Sequence, residues 1–369
     1  MRRPRVLFVS KPVVPPFHDG TKCLVRDVAT HLMRFDGSVL GTRGGPELAP
    51  GRVTTLPVYG DAGAFAPALA ENARAALYVL LRARADVFHF VFSPNPKTSA
   101  VGAAVRKVRR VPVVQTIASP PRAFVPGQYF GDVLVAQSEW TADRVRRAHR
   151  DARAELPRLA VIPPPIAGKP TRSPEQIERT RRALDLPEDG VVFTYPGDLE
   201  VSRGADTVAA ALPGILAGVP GAVVVFACRW KTPEARGREE ALARRLPPAS
   251  VRFAREVDLP ALLHLSTAVL FPVDDLHGKV DLPISLLEAM RLRVPVVTLR
   301  EGPLAELEGV VTVPGSDARA LSDAAVRLAL DPIHRETVVA AGAATVDARH
   351  DAALVASRYE DLYESLLRR

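Results

Sequence analysis

The segment from Leu282 to Met290 combines a helix start that suits an anion with an acidic side chain further along the same helix. Pro283 fits a first helical turn, because the N–H group that proline lacks would have no partner there. The free N–H groups of that turn form a positive helix end. Glu288 follows after about a turn and a half, where a carboxylate can accept two hydroxyl groups of a ribose. The segment predicts a nucleotide site, although a solvated or salt-bridged glutamate would fit the same spacing.

The elements around this segment alternate short β-rich runs with helical stretches, which predicts βαβ units and parallel sheets covered on both faces. Residues 87–92 are apolar without alternation, as a strand buried on both faces should be. In the first half the predicted strands are 5–10, 53–57, 86–92, 111–116 and 132–137, and the predicted helices are 21–35, 68–83, 98–109 and 139–149.

Three consecutive prolines between Ile162 and Ile166 break this pattern, and residues 168–174 are typical of a linker. We predict an α/β fold of two doubly wound domains: 1–164 with a terminal helix at 350–369, and 165–349. In such folds ligands bind at the carboxyl ends of the strands, so the cleft between the domains is the expected site. In the second half the predicted strands are 191–195, 222–227, 251–254, 269–271, 294–298 and 310–313, and the predicted helices are 204–216, 233–246, 259–266, 283–292, 317–330, 331–344 and about 351–367.

Several motifs, taken in order, resemble the retaining glycosyltransferases of family 4, which have the GT-B fold of two facing Rossmann-like domains. The segment 282–297 resembles their "Leu-Glu-Ala-Met" helix and "Pro-Val-Val" strand. Their glycine loop, "Asp-Val-Val-His" strand, "Ile-Pro-Pro-Gly" hinge and "Gly-Arg-Leu…Lys-Gly" loop have counterparts at 15–20, 86–89, 162–164 and 197–204. The likeness covers nearly the whole chain, and its final helix is like those that cross back onto the first domain.

This resemblance implies transfer of a sugar from a nucleotide donor, bound by the second domain, to an acceptor bound by the first. It implies retention and no obligatory metal, and the eight histidines show no metal-ligand spacing. We therefore expect no metal and no cofactor, the nucleotide sugar being a substrate. The acceptor is expected to be a carbohydrate, a lipid-linked molecule or another small molecule.

Without a metal, the departing diphosphate must be stabilised by side-chain cations and helix ends. Arg203 stands at the family's lysine position beside Gly204, and its guanidinium suits bidentate phosphate contact. Arg203, Glu288 and Lys279 are the expected catalytic residues. The expected substrate-binding residues are Asp19, Gly20, His18, Ser119, Arg229, Lys231, Asp281, Leu282 and Pro283. The alternatives are surface cations and, beside Arg229, a packed Trp230 flanked by solvated charges.

The chain departs from the family pattern at three positions. Asp198 replaces the arginine of "Gly-Arg-Leu", and Val280 stands where the first acid before Glu288 belongs, with Asp281 one residue away. Ala118 occupies the position of a histidine, where Ser119 or Thr116 could still bind a sugar hydroxyl. These departures keep two alternatives open: an inactive nucleotide-sugar-binding or scaffold protein, and a nucleotide-sugar epimerase or a transferase of non-sugar groups.

Composition and charge exclude several classes of protein. The 369 residues are 47% apolar and 24% charged, which excludes a disordered chain, a collagen-like repeat and a small disulfide scaffold. Two cysteines favour a reducing compartment, and neither a membrane span nor an export signal is recognisable, so we expect a cytoplasmic protein.

The charge is distributed unevenly along the chain. Residues 1–164 carry 24 Lys and Arg against 12 Asp and Glu, whereas residues 165–369 carry 25 against 29. Basic clusters lie at 106–110 and 144–153. Because relatives often dock on anionic membranes through a basic first domain, peripheral contact with the inner face of a membrane is a further hypothesis. Aromatic residues make up only 6% and no binding module is recognisable, so nucleic acid is not an expected partner.

Overall fold

The computed structural model describes residues 2–17, 19–60, 67–230 and 232–368. The chain divides into two units. Unit 1 comprises Met1–Ala167, His277–Ile284 and Arg349–Arg369, and unit 2 comprises Gly168–Leu276 and Ser285–Ala348. Residues 277–284, which the sequence analysis placed in the second domain, therefore cluster with the first unit.

Unit 1 is built on a parallel sheet whose strands, over the described residues, follow the order β3-β2-β1-β4-β5-β6-β7. Side chains alternate across it: Val6 and Phe8 face one core, and Leu7 faces the other. The sheet is therefore covered on both faces, as predicted for a doubly wound domain. The strands are β1 (Arg5–Val9), β2 (Asp36–Thr42), β3 (Val53–Tyr59), β4 (Val87–Phe92), β5 (Val113–Ile117), β6 (Val133–Ala136) and β7 (Arg158–Val161).

Helices cover both faces of this sheet. The helices that follow its strands are α1 (Gly20–His31), α2 (Leu69–Leu81), α3 (Pro96–Arg109) and α4 (Glu139–Asp151), with a short 3₁₀ turn at Pro126–Gln128. Side chains of Asn95 and Ser138 accept hydrogen bonds from backbone N–H groups in the first turns of α3 and α4. These caps fix where each helix begins at the carboxyl end of its strand.

Strand β2 was absent from the sequence prediction. Its residues Asp36–Thr42 include two glycines and do not alternate in polarity, so no β pattern marks them. The strand exists because it fills the gap between β1 and β3, with Val39 and Leu40 fully buried. A Cβ atom on Gly41 would lie 2.4 Å from Thr55 Cγ2, so glycine permits close pairing with β3.

Unit 2 repeats the same strand order in a second parallel sheet, β10-β9-β8-β11-β12-β13. Its elements are α5 (Pro174–Ala183), β8 (Val192–Tyr195), α6 (Gly204–Gly218), β9 (Val223–Phe226), α7 (Pro233–Arg245), β10 (Val251–Phe253), α8 (Leu259–His264), β11 (Ala268–Phe271), α9 (Ile284–Arg291), β12 (Val296–Leu299), β13 (Val311–Val313), α10 (Ala318–Leu330) and α11 (Pro332–Thr345). Ile284, the first residue of α9, is still counted with unit 1. Helix α5 was not predicted; Ser173 and Gln176 form a capping box that begins it.

The last helix, α12 (Ala352–Leu367), packs on the same face of unit 1 as α1. Glu360 is buried and its Oε1 accepts hydrogen bonds from the N–H groups of Met33, Arg34 and Phe35, at 2.7, 2.5 and 3.3 Å. The Arg34 guanidinium donates to Glu360 and Glu364. This charge-assisted cluster explains how a helix far along the chain becomes part of the first unit.

Among the helices of the described residues, none is long and apolar enough to cross a membrane.

Candidate functional site

The loop that joins β8 to α6 is shaped around a buried tyrosine. Tyr195 is fully buried, and a Cβ atom on Gly197 would lie 2.2 Å from its ring. A Cβ atom on Gly204 would lie 2.7 Å from the Tyr195 hydroxyl. Glycine is therefore required on both sides of the loop, and the backbone is brought close over the carboxyl end of the sheet.

Asp198, the charge-reversed position of the family motif, holds this loop together. It is fully buried, and its Oδ1 accepts hydrogen bonds from the N–H groups of Val201 at 2.7 Å and Ser202 at 2.9 Å. Its carbonyl oxygen accepts the Tyr195 hydroxyl at 2.8 Å. The carboxylate thus stabilises the backbone turn that leads to Arg203.

Arg203 lies at the N-terminal boundary of α6 and is more exposed than Lys279, the other predicted catalytic cation. Its side chain is 73% exposed, and its Nε donates to Asp274 Oδ2 at 2.7 Å. The Asp274 Oδ1 accepts the Arg203 backbone N–H at 2.9 Å. Asp274 follows β11, the strand next to β8, so one carboxylate fixes both the main chain and the guanidinium at a strand end.

Arg229 follows β9 and is half-buried, and Lys231 lies outside the described residues. Between them Trp230 is packed: its indole N–H donates to Glu239 Oε2 at 2.7 Å, and the Arg255 guanidinium lies 3.8 Å from its ring centroid. Arg255 also pairs with Glu239. Trp230 is held by these two contacts although it is 37% exposed, and both a donor contact by Arg229 and the alternative to it stay predictions.

Helix α9 carries the motif from which the nucleotide site was predicted. It begins at Ile284, just after Pro283, and Leu282 and Pro283 are both buried. Glu288 is half-buried in the middle of the helix. Toward the end of α9, Arg291 pairs with Asp347. Glu288 and Arg203 both lie in unit 2.

The segment 277–284, which is counted with the first unit, carries four of the predicted site residues, Lys279 and residues 281–283. Val280 packs on Gly20, where an added Cβ atom would lie 3.0 Å from Val280 Cγ1. Asp281 is fully buried and its Oδ2 accepts the Ser138 hydroxyl at 2.5 Å. Lys279 is half-buried between Gly278 and Val280. Ser138 was not a predicted site residue, because nothing in its local sequence marks it beyond the start of a helix.

Asp19 caps helix α1 and pairs with Lys11. Its Oδ1 accepts the N–H groups of Thr21 and Lys22 at 3.0 and 3.2 Å, which caps α1. Its Oδ2 accepts Lys11 Nζ at 2.6 Å. A carboxylate thus occupies the start of α1, and an anionic ligand would be repelled there. His18, the neighbouring prediction, lies outside the described residues.

Polar side chains are buried where β4 and β5 meet α12. His89 donates or accepts at 2.7 Å with both Thr116 Oγ1 and the Tyr363 hydroxyl, and Thr116 also lies 3.2 Å from the Tyr359 hydroxyl. Burial lowers the pKa of His89 to about 3, so its ring is neutral at physiological pH. Thr116 is fully buried, so the expectation that it binds a sugar is wrong. Ser119, two residues after β5, is 5% exposed and stays a prediction.

In the part of the chain that the structure describes, no group of three or more His, Cys, Asp or Glu side chains could hold a metal ion. Asp274, one of the acidic pair at 274–275, is bonded to Arg203.

Part of the chain is similar to a known protein family. Residues 190–331 match the family model described as glycosyl transferases group 1. Over 248 residues the chain is 27% identical to a Corynebacterium glutamicum enzyme, a GDP-mannose-dependent monoacylated alpha-(1-6)-phosphatidylinositol monomannoside mannosyltransferase. The match covers 63% of this chain and 62% of that enzyme.

Solved structures show the same fold over nearly the whole chain. Anabaena HepE in complex with UDP-glucose is 16% identical, with a TM-score of 0.74 over 98% of this chain and 100% of that one. The sucrose-phosphate synthase of Thermosynechococcus elongatus is 18% identical, with a TM-score of 0.75 over 100% of both chains. The resemblance predicted from the sequence is confirmed: the chain has the GT-B fold of these structures, and residues 190–331 are similar to the glycosyl transferases group 1.

Proposed function

We propose that the protein is a glycosyltransferase that moves a sugar from a nucleotide donor, bound by unit 2, to an acceptor bound by unit 1. The reaction proceeds with retention and without an obligatory metal, and Arg and Lys side chains stabilise the departing diphosphate. The single observation that carries this proposal is Arg203, an exposed arginine set at the start of α6 within the matched transferase domain.

The chemistry at Arg203 suits a leaving group that gains negative charge. Asp274 uses the Nε–H and the backbone N–H of Arg203, and a guanidinium has further Nη donors for phosphate oxygens. Arg203 lies at the N-terminal boundary of α6, where the helix dipole also favours an anion. Donors aimed at developing charge in a closed site are worth about 3–4 kcal/mol each, or 10²–10³ in rate.

The relatives named above indicate which donors should be tested first. One is GDP-mannose-dependent, and the HepE structure holds UDP-glucose. We infer a GDP- or UDP-sugar as the donor. The name of the same mannosyltransferase includes a phosphatidylinositol monomannoside. A lipid-linked acceptor is therefore the first class of acceptor to test.

A membrane surface would suit the outer face of α2. Leu69, Leu77 and Leu81 are 73%, 57% and 68% exposed, on the side of the helix opposite its buried Ala75 and Val79. The end of α3 lies beside this face, because the Arg109 guanidinium donates to the carbonyl oxygens of Leu80 and Ala83. Exposed cations surround it: Arg82, Arg84, Lys107 and Arg110.

Exposed leucines bordered by cations are the composition that anionic lipid surfaces bind, at about 1 kcal/mol for each cation near the surface. Peripheral contact with an anionic membrane is therefore part of the proposal. Leu77→Glu with Leu81→Glu should abolish sedimentation with vesicles that contain 30% phosphatidylserine or phosphatidylinositol. Leu330→Glu, on a helix of unit 2, is the matched control and should sediment like wild type.

A second candidate is a protein that binds the nucleotide sugar without transferring it. It is favoured by Val280, which is packed on Gly20 at the position of the family's first acid, and by the full burial of Asp281.

One experiment separates the two candidates. The wild-type protein is incubated with GDP-mannose, UDP-glucose and a lipid extract, and released nucleotide and the anomeric configuration of the product are measured by chromatography and NMR. Transfer with retention supports the proposal. Tight nucleotide binding with neither hydrolysis nor transfer supports the second candidate. Arg203→Ala and Glu288→Ala should each weaken donor binding, and unchanged affinity in both would contradict the site.

A further inference from the structure

An arginine of helix α7 reaches the loop that carries Arg203. Arg238 Nε donates to the Leu199 carbonyl oxygen at 3.2 Å, and its Nη2 donates to Asp206 Oδ2. Leu199 lies in the loop that follows β8, and Asp206 lies in the first turn of α6. Arg203 stands between these two attachment points in the chain. One guanidinium therefore joins both ends of the segment 199–206 to a neighbouring helix of unit 2.

This segment is held in three ways, and Arg238 supplies the attachment to the neighbouring helix. Asp198 accepts backbone N–H groups of the segment, and Asp274 accepts the Arg203 side chain. Asp198 is fully buried, whereas the Arg238 side chain is 43% exposed. Because partly exposed ion pairs contribute little to stability, replacing Arg238 should alter the segment without unfolding the core.

The next residue of α7 fixes the place from which Arg238 acts. Glu239 is 6% exposed; its Oε2 accepts the Trp230 indole N–H at 2.7 Å, and its Oε1 accepts Arg255 Nη2 at 2.8 Å. Trp230 follows β9 and Arg255 follows β10. Helix α7 is thus tied to the loops after two further strands of the same sheet, which makes it a fixed support for the loop after β8.

The attachment depends on the shape of the guanidinium as well as on its charge. Arg238 uses two nitrogens of one planar fork, one for a backbone carbonyl oxygen and one for a carboxylate. A lysine would keep the positive charge, but its single ammonium nitrogen does not reproduce the rigid fork. Charge and positioning can therefore be separated by substitution.

We propose that Arg238 is a positioning residue, which holds the segment 199–206 so that the Arg203 guanidinium is set for the diphosphate of the nucleotide donor. Arg238 acts through Arg203 and does not itself contact the reacting atoms. The role of Arg203 rests on the proposed function, while the holding of the segment does not.

The test compares two arginines of α7. Arg238→Ala removes the attachment to the segment, whereas Arg236→Ala removes an exposed ion pair with Glu240 on the same helix. Binding of UDP and GDP is followed by calorimetry, and hydrogen exchange of residues 199–206 is followed by mass spectrometry. In Arg238→Ala we expect nucleotide affinity to fall about three- to tenfold and exchange to rise by a similar factor, as loss of hydrogen bonds to a charged group would produce. In Arg236→Ala neither quantity should change.

Two further variants supply readouts that a purely structural or purely electrostatic role would not give. Arg238→Lys keeps the charge without the fork and should recover only part of the lost affinity. Complete recovery would mean that the nucleotide responds to the charge alone, and would overturn the positioning. In the Arg203→Ala background, adding Arg238→Ala should cost less than about twofold, because both substitutions act on one guanidinium. A loss that multiplies in full would show that Arg238 acts independently of Arg203, and would overturn the positioning as well.

Unchanged exchange in Arg238→Ala would overturn the holding of the segment, and raised exchange with unchanged nucleotide affinity would overturn the positioning of Arg203. If Arg238→Ala does not fold, Arg238→Lys carries the comparison, with Arg236→Lys as its control. If the wild-type protein binds neither UDP nor GDP, the proposed function is what fails, and the exchange result still decides for or against the holding of the segment.

Discussion

The two units place opposite charges at equivalent points of the same topology. Each unit has a first strand in the middle of its sheet, β1 or β8, followed by a loop and a helix, α1 or α6. In unit 1 the residue before the helix is Asp19, whose carboxylate caps α1 and pairs with Lys11. In unit 2 it is Arg203, which makes no side-chain cap and is largely exposed.

Because of this difference, the two helix starts favour different ligands. A carboxylate already occupies the start of α1, which therefore suits uncharged hydroxyl groups better than phosphate. The start of α6 adds a guanidinium to the helix dipole, so it suits an anion. This difference favours a nucleotide bound to unit 2. Substitutions in each of the two loops can test it.

The largest expected effect comes from restoring the family's arginine in the loop of unit 2. Asp198→Arg would bury a guanidinium and remove the acceptor of the Val201 and Ser202 N–H groups. We expect a loss of about 3–5 kcal/mol in the free energy of unfolding. Urea unfolding followed by circular dichroism measures it. Asp206→Arg, at a partly exposed position in the first turn of α6, is the control; equal stability of both variants would show that Asp198 does not hold the loop.

In the sheet of unit 1, the buried side chain of His89 should make the free energy of unfolding depend on pH. The pKa of His89 is lowered to about 3 in the folded protein, so between its ordinary pKa of 6.5 and 3 the unfolded chain binds a proton that the folded one does not. The contribution of His89 to stability therefore falls with acid, by up to about 1.4 kcal/mol per pH unit. Strand β11 of unit 2, in the equivalent position beside the first strand, is entirely apolar.

The measurement is the difference in unfolding free energy between wild type and His89→Gln at pH 7, 6, 5 and 4. Taking the difference isolates His89 from other groups, including Asp27, whose pKa burial raises and whose effect has the opposite sign. We expect the stability advantage of wild type to shrink as pH falls below 6.5. A constant difference across this range would contradict a neutral, buried imidazole.

These features show what a linear sequence can and cannot predict. The alternation of apolar runs and helices predicted both parallel sheets, because buried parallel strands and their connecting helices leave distinct patterns. Strand β2 was not predicted, because Gly37, Ser38 and Gly41 take a β conformation only through pairing with the neighbouring strands. Helix α5 was not predicted, because its capping box begins in a segment whose composition is typical of a linker.

The sequence predicted candidate site residues but not the direction of the side chains around them. Motif spacing placed Arg203 and Glu288 in unit 2. It could not show that Asp198 turns inward onto backbone N–H groups, or that Asp281 bonds to Ser138, 143 residues earlier in the chain. Such bonds depend on tertiary contacts, and nothing in the sequence around either residue marks it as a partner of the other.

A smaller effect is expected at the loop of unit 1. Asp19→Ala removes the cap of α1 and the partner of Lys11, and should cost about 1 kcal/mol. Asp19→Asn keeps an oxygen acceptor for the N–H groups of Thr21 and Lys22 and should recover most of that loss. Thermal unfolding of the two variants measures the difference, and equal melting temperatures would argue against a capping role.

The smallest expected stability change is at Arg203 itself. Because its side chain is 73% exposed, Arg203→Ala should change the free energy of unfolding by less than about 1 kcal/mol. Urea unfolding beside wild type checks this. A larger loss would mean that the ion pair with Asp274 serves the fold, as the carboxylate of Asp198 does.

The central claim is that unit 2 meets the phosphates of a nucleotide with Arg203. Calorimetric titration of wild type, Arg203→Ala and Arg319→Ala with UDP and GDP tests it directly; Arg319 is an exposed arginine on α10 that also pairs with an aspartate. Wild type and Arg319→Ala should bind one of the two nucleotides equally, and Arg203→Ala should bind it at least tenfold more weakly. Equal affinity of Arg203→Ala and wild type would contradict a phosphate contact by Arg203.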